Sequence, residues 1–239
     1  MTEPFLYSYP TLISGTLIRR YKRFMADIEL ASGEVVVAHC PNTGPMTGVC
    51  IPGSPVWVSK SDNPKRKLAY TWELIQLQDN EPTWVGVNTS LPNKIVGLAL
   101  QQRLFPELGE YGKIRREVPY GLGGKSRVDF VLEGGEKPIY LEVKNTTWAQ
   151  ENLALFPDTV TERGQKHLTE LMGIVAAGSR AVMLYFINRG DCVKFASGDE
   201  ADPVYGNLLR EAILKGVEVL PCRFDVSPEG VKYLGLAAF

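Results

Sequence analysis

The sequence predicts an α+β chain of two domains: a small β-barrel of the OB type over residues 1–90, then a mixed α/β sheet over residues 91–239. Three observations predict it. Up to about residue 88, short apolar segments are separated by turn clusters such as Ser32-Gly33, Asn42-Thr43-Gly44-Pro45 and Pro52-Gly53-Ser54, the punctuation of short strands. Beyond residue 92, helical spacing alternates with apolar strands. The charged fraction of 22% and apolar fraction of 44% belong to an ordinary globular chain, and 239 residues leave room for two modest domains. No internal repeat or low-complexity linker marks the boundary, which rests on the change of pattern near residues 90–92.

In the first domain, strands are expected at residues 11–19, 25–30, 35–38, 55–59 and 71–78. About five short strands in roughly eighty residues suit an OB barrel, whose open face holds single strands or oligosaccharides; a small sandwich is the alternative. Two basic clusters fall here. One is Arg19, Arg20, Lys22 and Arg23, interleaved with Tyr21 and Phe24. The other is Lys65, Arg66 and Lys67, with Lys60 before it and Tyr70 and Trp72 after. Cations for phosphates beside aromatics for base stacking form a single-strand-binding combination. The same residues also read as solvated loops whose aromatics point inward, and the sequence leaves both readings open. Trp57, Trp72 and Trp84 add a third, an oligosaccharide-binding face.

In the second domain, Ile95, Leu98, Ala99 and Gln102 recur on one side of a helix over residues 93–105, which Pro106 ends. Glu107 and Glu110 follow in a Gly-rich stretch. Strands at 127–132 (RVDFVL) and 139–144 (IYLEVK) are joined by a turn. Residues 161–177 form the clearest helix, with Leu168, Leu171, Met172 and Val175 as its buried stripe, Arg163 and Lys166 opposite it and His167 at its flank. Gly178 stops this helix. The apolar run 181–187, helix 205–215 and strand 217–223 complete the pattern. A strand–helix–strand run of this kind implies a right-handed crossover, with helices on both faces of the sheet.

The strand pair carries the chemistry. Side chains alternate across a strand, so Val128, Phe130 and Leu132 are expected on one face with Asp129 on the other, and Glu142 and Lys144 project together opposite Ile139, Leu141 and Val143. With apolar faces aligned, Asp129, Glu142 and Lys144 meet. Two carboxylates hold a hard divalent cation such as Mg²⁺, and an adjacent ammonium offsets phosphate charge: the parts needed to attack a phosphodiester. A strand with charges on its outer face is also commonplace, so the neighbouring residues must decide.

Composition excludes several classes. The formal net charge of −1 shows no global polycation, so any nucleic-acid footprint is local. The most apolar region, around residues 174–187, is interrupted by Gly178, Ser179 and Arg180, and the N-terminus has no secretory pattern. A cytoplasmic location without a membrane partner is expected. Cys40, Cys50, Cys192 and Cys222 form no C-x-x-C pair and only His39 and His167 accompany them, so free thiols are expected in preference to a zinc site or a His39-Cys40-Cys50 set.

Five phrases carry a resemblance. HCPNTGPMTG (39–48), SDNPKRKLAYTWEL (61–74), RVDF (127–130), YLEVKNTTW (140–148) and FPDTVTERGQKHLTEL (156–171) together resemble the sugar fermentation stimulation protein A family of bacteria and archaea, over nearly the whole chain. The resemblance implies an OB-like domain followed by a domain of the PD-(D/E)xK restriction-endonuclease-like type. It also implies DNA binding without sequence preference and a link to the regulation of maltose and other sugar catabolism. It makes Asp129 the motif aspartate, Glu142 and Lys144 the E-x-K, and Asp129 with Glu142 the ligands of Mg²⁺ or Mn²⁺. For the superfamily's upstream helix glutamate, Glu107 is the best match, with Glu110 and Glu117 left open. Val128 stands in place of the eponymous proline, at a position that bears no ligand. Arg163, Gln165, Lys166 and His167 fall where related folds present phosphate contacts, although the same residues read equally as a solvated surface with a hydrogen-bonded histidine flank. The expected function is therefore DNA binding first and metal-dependent cleavage second. A regulator that keeps the nuclease fold without cleaving is the alternative, and a carbohydrate-binding module the remoter one. Oligomeric state is left open.

Overall fold

A computed structural model describes residues 4–79, 81–121 and 126–239. Residues 1–3 and 80 of the expected first domain lie outside the described residues. The first six strands are β1 (Leu12–Tyr21), β2 (Met25–Leu30), β3 (Val35–His39), β4 (Pro55–Lys60), β5 (Tyr70–Gln78) and β6 (Pro82–Gly86). They are ordered β3-β2-β1-β4-β5-β6. A further parallel pairing, Ala38 with Tyr70 and His39 with Thr71, joins β3 to β5. That contact closes five strands into a barrel and removes their free edges; the sandwich alternative is thereby excluded. A register shift between Leu17 and Arg19 marks a bulge in β1, which bends the strand around the barrel. Leu17, Ile28, Val56, Val58, Trp72 and Ile75 fill the interior.

The second sheet is ordered β15-β14-β12-β9-β8-β7. Its strands are β7 (Lys113–Tyr120), β8 (Ser126–Glu133), β9 (Ile139–Thr146), β12 (Arg180–Ile187), β14 (Glu218–Ser227) and β15 (Gly230–Leu236). The central three, β9, β12 and β14, run parallel. A small sheet of β10 (Ala149–Gln150), β11 (Leu153–Phe156) and β13 (Lys194–Ser197) sits beside them. Helices cover both faces, as the pattern predicts. On one face α1 (Pro92–Gln101) packs Ile95, Val96, Ala99 and Leu100 with Leu141, Val143, Leu184 and Phe186. On the other, α2 (Glu162–Ala176) and α3 (Pro203–Leu214) bury Leu168, Leu171 and Leu209 with Met183 and Tyr185. The α2 N-terminus is capped by Thr161, whose side chain accepts from the Gly164 N–H.

Several elements differ from expectation. The first helix stops at Gln101, four residues early, and a separate 3₁₀ turn spans Pro106–Leu108. Its buried stripe includes Val96 and Leu100, while Leu98 is half-buried and Gln102 exposed. The edge strands β6, β7 and β15 and the short β10, β11 and β13 are not foreseen. β7 (KIRREVPY) carries four charges and a proline, which an edge strand tolerates because one side needs no partner. Its alternation is hidden by those charges.

Leu6 and Tyr7 belong with the second sheet: Leu6 joins its core and Tyr7 bridges to Val231. The barrel and sheet are stitched at β6. Gly86 N–H donates to the Asn188 carbonyl and Asn188 Nδ2 donates to the Gly86 carbonyl, each at 3.0 Å. A Cβ on Gly86 would fall 2.1 Å from Asn188 Oδ1, so this close approach requires glycine. Next to it Arg189, 1% exposed, donates to Asp79 and Asp191 at 2.6 Å each. All four cysteines are free thiols. No helix among the described residues is long and apolar enough to cross a membrane.

Trp72 is fully buried and its indole N–H donates to the Leu74 carbonyl at 2.9 Å. Trp72→Ala is expected to cost about 3–5 kcal/mol, the range for emptying a large core aromatic, read as a lowered urea midpoint. A loss below about 1 kcal/mol, the scale of a surface substitution, would mean that Trp72 does not fill the barrel.

Candidate functional site

The site begins where two strands part. β8 pairs with β9 only through Phe130–Leu141, Val131–Tyr140 and Leu132–Ile139, while β7 stays with β8 as far as Tyr120–Ser126. From Asp129 back to Ser126, β8 has left β9. The Val143 N–H in the fork is taken by Asp129 Oδ2 at 2.7 Å. Asp129 Oδ1 accepts from Asn93 Nδ2 at 2.6 Å, in the first turn of α1. The divergence alters one expectation. Val128 joins the core under α2, while Phe130 and Leu132 join the core under α1, so the three do not share a face.

Glu142 and Lys144 project from β9 toward α2, opposite Leu141 and Val143. Glu142 is 3% exposed. Its Oε1 accepts from Lys144 Nζ at 2.9 Å and meets His167 Nδ1. Its Oε2 is buried and has no partner. Burial pushes the Glu142 carboxyl upward, but the His167 bond and the Lys144 charge outweigh it and hold it below the usual range. Asp129 goes the other way: burial, then the Glu142 charge, raise it to about 6 against the bonds from Val143 and Asn93 and the Lys144 charge.

The other predicted residues are placed as follows. Glu107 offers its carbonyl to Arg180 Nη2 at 2.9 Å, and Arg180 is the register partner of Ile139, the far end of β9 from Lys144. Glu110 borders the same region, beside Ile139 and Arg180. Glu117 lies on edge strand β7, exposed, with φ 52°. The structure brings none of the three to Glu142. The helix residue presented to Asp129 is Asn93, which sequence reasoning missed; an uncharged residue in a first turn gives no pattern to find it by. Among the described residues, no group of three Asp, Glu, His or Cys is arranged to hold a metal.

Arg163 and Lys166 are exposed on α2, and Lys166 reaches Glu170 at 3.6 Å. Gln165 is turned away, donating to the Asp202 carboxylate. His167 is buried on Glu142, so for it the hydrogen-bonded reading holds and a phosphate contact does not.

The basic clusters divide. Arg19 pairs with Asp27 at 2.7 Å and stacks over Tyr21 at 5.0 Å. Arg20 is engaged internally: its Nη2 donates to the carbonyls of Arg23, Asn42 and Gly44, each at 2.9 Å. It clamps the β1–β2 turn to the loop after β3. Lys22 and Arg23 occupy that turn, exposed, with φ of 49° and 63°. Lys65, Arg66 and Lys67 stand in an exposed loop, where Arg66 also bonds Thr71. Trp57 and Trp84 pack together at the domain junction. The aromatics beside the basic clusters that stay accessible are Phe24, Tyr21 and Tyr70.

The barrel and the second domain face each other across a groove whose two spaces Asp129, Glu142 and Lys144 do not line. The Arg20-clamped loop at Asn42 and Gly44 faces Asn145 and Thr146, just beyond Lys144, across a cavity of about 90 Å³. A larger opening of about 430 Å³ is bounded by Arg20, Arg23, Thr159 and Val160, immediately before α2. The first basic hairpin therefore stands at the α2 end of the groove; Lys65, Arg66 and Lys67 line neither space.

Asp129 yields a pH prediction. Its folded pKa of about 6 exceeds the ordinary 3.8, so the folded state binds its proton more tightly than the unfolded chain. The stability of the metal-free protein should fall as pH rises from about 4 to 6, levelling at a cost on the order of 2–3 kcal/mol. Glu142, shifted downward from 4.5, acts at the acid end of this window and below it, with the opposite sign: its contribution is lost as pH falls. Asp129→Asn should be more stable than wild type at pH 7.5 in EDTA and the gap should close toward pH 4, as measured by urea unfolding. A gap that is the same at both ends would show that Asp129 is not under this strain.

Comparison with known proteins places the whole chain. Residues 18–87 match the family model described as the SfsA N-terminal OB domain, and residues 90–230 match the Sugar fermentation stimulation protein RE domain. A sugar fermentation stimulation protein homolog from Trichormus variabilis is 71% identical over 234 residues, 97% of each chain. Another from a Nostoc species is 69% identical over 239 residues, 99% of this chain and 98% of its own. The solved structure of Pyrococcus furiosus SfsA in complex with Ca²⁺ superposes with a TM-score of 0.87 at 25% identity, covering 99% of both chains. With both domains matched in order across nearly its full length, this chain belongs to the sugar fermentation stimulation protein (SfsA) family.

Proposed function

We propose that this chain binds DNA without sequence preference and cleaves it at a Mg²⁺- or Mn²⁺-dependent site formed by Asp129, Glu142 and Lys144. The observation that carries the reading is the buried, unpartnered Oε2 of Glu142 close to an Asp129 whose carboxyl that charge helps hold up to about 6. Two carboxylates so placed form an all-oxygen donor set that suits a hard cation. The Ca²⁺ complex of the Pyrococcus furiosus relative supports a divalent cation of this class.

Asp129 and Glu142 would hold the metal, which when bound polarises the scissile phosphate and lowers the pKa of a water. Asn93 and the Val143 N–H fix the Asp129 carboxylate. Lys144, anchored on Glu142 Oε1, offers its remaining N–H groups to the phosphate and stabilises the charge that grows during attack. Lys22 and Arg23 on the hairpin and Arg163 and Lys166 on α2 would contact backbone phosphates along the groove; Lys65, Arg66 and Lys67 would extend the footprint. Phosphate contacts read no sequence. Arg19 and Arg20 contribute less, since Asp27 and backbone carbonyls already occupy them. The burial of Trp72 and the packing of Trp57 against Trp84 remove the aromatic basis for an oligosaccharide face.

For binding, replacing Lys22 and Arg23 together by Gln should weaken all DNA sequences alike and lower the salt slope by about two units. Unchanged affinity and slope would move the binding surface elsewhere. For metal, Glu142→Gln should abolish Mn²⁺ binding by calorimetry in a folded protein; undiminished affinity would refute the ligand assignment. For cleavage, Lys144→Ala should keep metal and DNA affinity and lose on the order of 10²–10³-fold in rate. If Lys144→Ala and Glu142→Gln preparations cleave at the wild-type rate, the activity belongs to a contaminant. The chain is then a regulator with a nuclease fold.

A further inference from the structure

His167 does not enter the chemistry proposed above, yet it is buried against the centre of it. It is 3% exposed, on the buried side of α2 facing β9. Its Nδ1 meets Glu142 Oε1, and on the other side of the ring Arg163 Nε donates to Nε2 at 3.4 Å. Lys144 Nζ stands 3.0 Å from the same Nδ1, so the ammonium, the imidazole and Oε1 form a closed triangle. A carboxylate oxygen is acceptor-only, so a bond between Nδ1 and Oε1 requires the hydrogen to sit on Nδ1.

From this we infer that His167 is a positioning residue that holds Glu142 in the rotamer presenting a single oxygen, Oε2, to the metal. The inference rests on the metal-site reading of Asp129 and Glu142. Glu142 Oε1 already receives Lys144 at 2.9 Å. With only that ammonium beside it, the carboxylate is free to turn both oxygens toward Lys144. The His167 N–H occupies the second acceptor position of Oε1, and turning would break that bond between two side chains each 3% exposed. Glu142 thus keeps Oε1 on its two donors and leaves Oε2 as the free donor atom. The same arrangement keeps the Lys144 ammonium on one oxygen, 3.0 Å from His167 Nδ1. Groups that orient a metal ligand without touching the metal change affinity by about 10–100-fold when removed.

The test compares two substitutions. Asn places an amide N–H where His167 carries Nδ1–H; Leu fills the space and donates nothing. In calorimetry with Mn²⁺ alone, His167→Leu should bind about 10–100-fold more weakly than wild type, and His167→Asn should recover most of that loss. Both should retain the circular dichroism of wild type in EDTA. In ¹⁵N-labelled wild type, whose histidines are only His39 and His167, the long-range ¹H–¹⁵N pattern at pH 8 should show His167 protonated on Nδ1. A folded His167→Leu with wild-type affinity, a folded His167→Asn as weak as His167→Leu, or an Nε2–H tautomer would each overturn the inference while leaving the metal site standing. Absence of any Glu142-dependent Mn²⁺ binding in wild type would overturn the metal reading and this inference with it.

Discussion

The bond from the Val143 N–H to the Asp129 carboxylate is the constraint on which the rest of the site depends. An antiparallel ladder would ordinarily spend that N–H on a backbone carbonyl. Here β8 has already turned away, and a side chain takes the carbonyl's place at 2.7 Å. The fork can open without orphaning a buried donor. It also brings Asp129 close enough to Glu142 for their charges to interact, and the bonds from Val143 and Asn93 lower the Asp129 pKa only part of the way against burial and that charge. The folded chain keeps two carboxylates close in a largely buried place, which is unfavourable unless positive charge joins them.

The barrel contributes geometry to the same place. Its loop after β3 is clamped by Arg20 and reaches the end of β9, with Thr47 touching Asp158. Close by, β6 is stitched to the end of β12 by the Gly86–Asn188 pair, and Arg189 ties Asp79 of the barrel to the carbonyl of Thr147 just after β9. The groove is therefore a product of both domains. Neither the hairpin turn nor the N-terminus of α2 bounds it alone.

The charged residues show why a run of basic side chains is ambiguous in sequence. Arg19 and Arg20 are adjacent and of one type, yet one sits on a surface carboxylate and the other satisfies loop carbonyls. Lys22 and Arg23 differ from them only in standing at the turn itself, where φ is positive and the side chains leave the barrel. A partly buried guanidinium with several carbonyl partners serves the fold; an exposed one without such partners is available to a phosphate. Local sequence cannot tell them apart, because the partners lie more than twenty positions away at Asn42 and Gly44.

What the sequence by itself determined are the features that arise from local periodicity. Five barrel strands, the long α2 with its stripe of Leu168, Leu171 and Met172, the buried β12, and the projection of Glu142 and Lys144 from one face of β9 all follow from residues a few positions apart. Tertiary structure decided what depends on distant partners. It closed the barrel through β3 and β5, and it paired the charged edge strand β7, whose alternation is masked because only one side is bonded. It reversed the face of Val128 by parting β8 from β9, left Glu107, Glu110 and Glu117 away from Glu142, and presented Asn93 to Asp129 instead. His167 shows the division within one residue. Its place on the edge of the α2 stripe is legible from spacing, but its bond to Glu142 exists only because β9 packs beneath α2. A hydrogen bond between residues twenty-five positions apart leaves no trace in the local pattern of either.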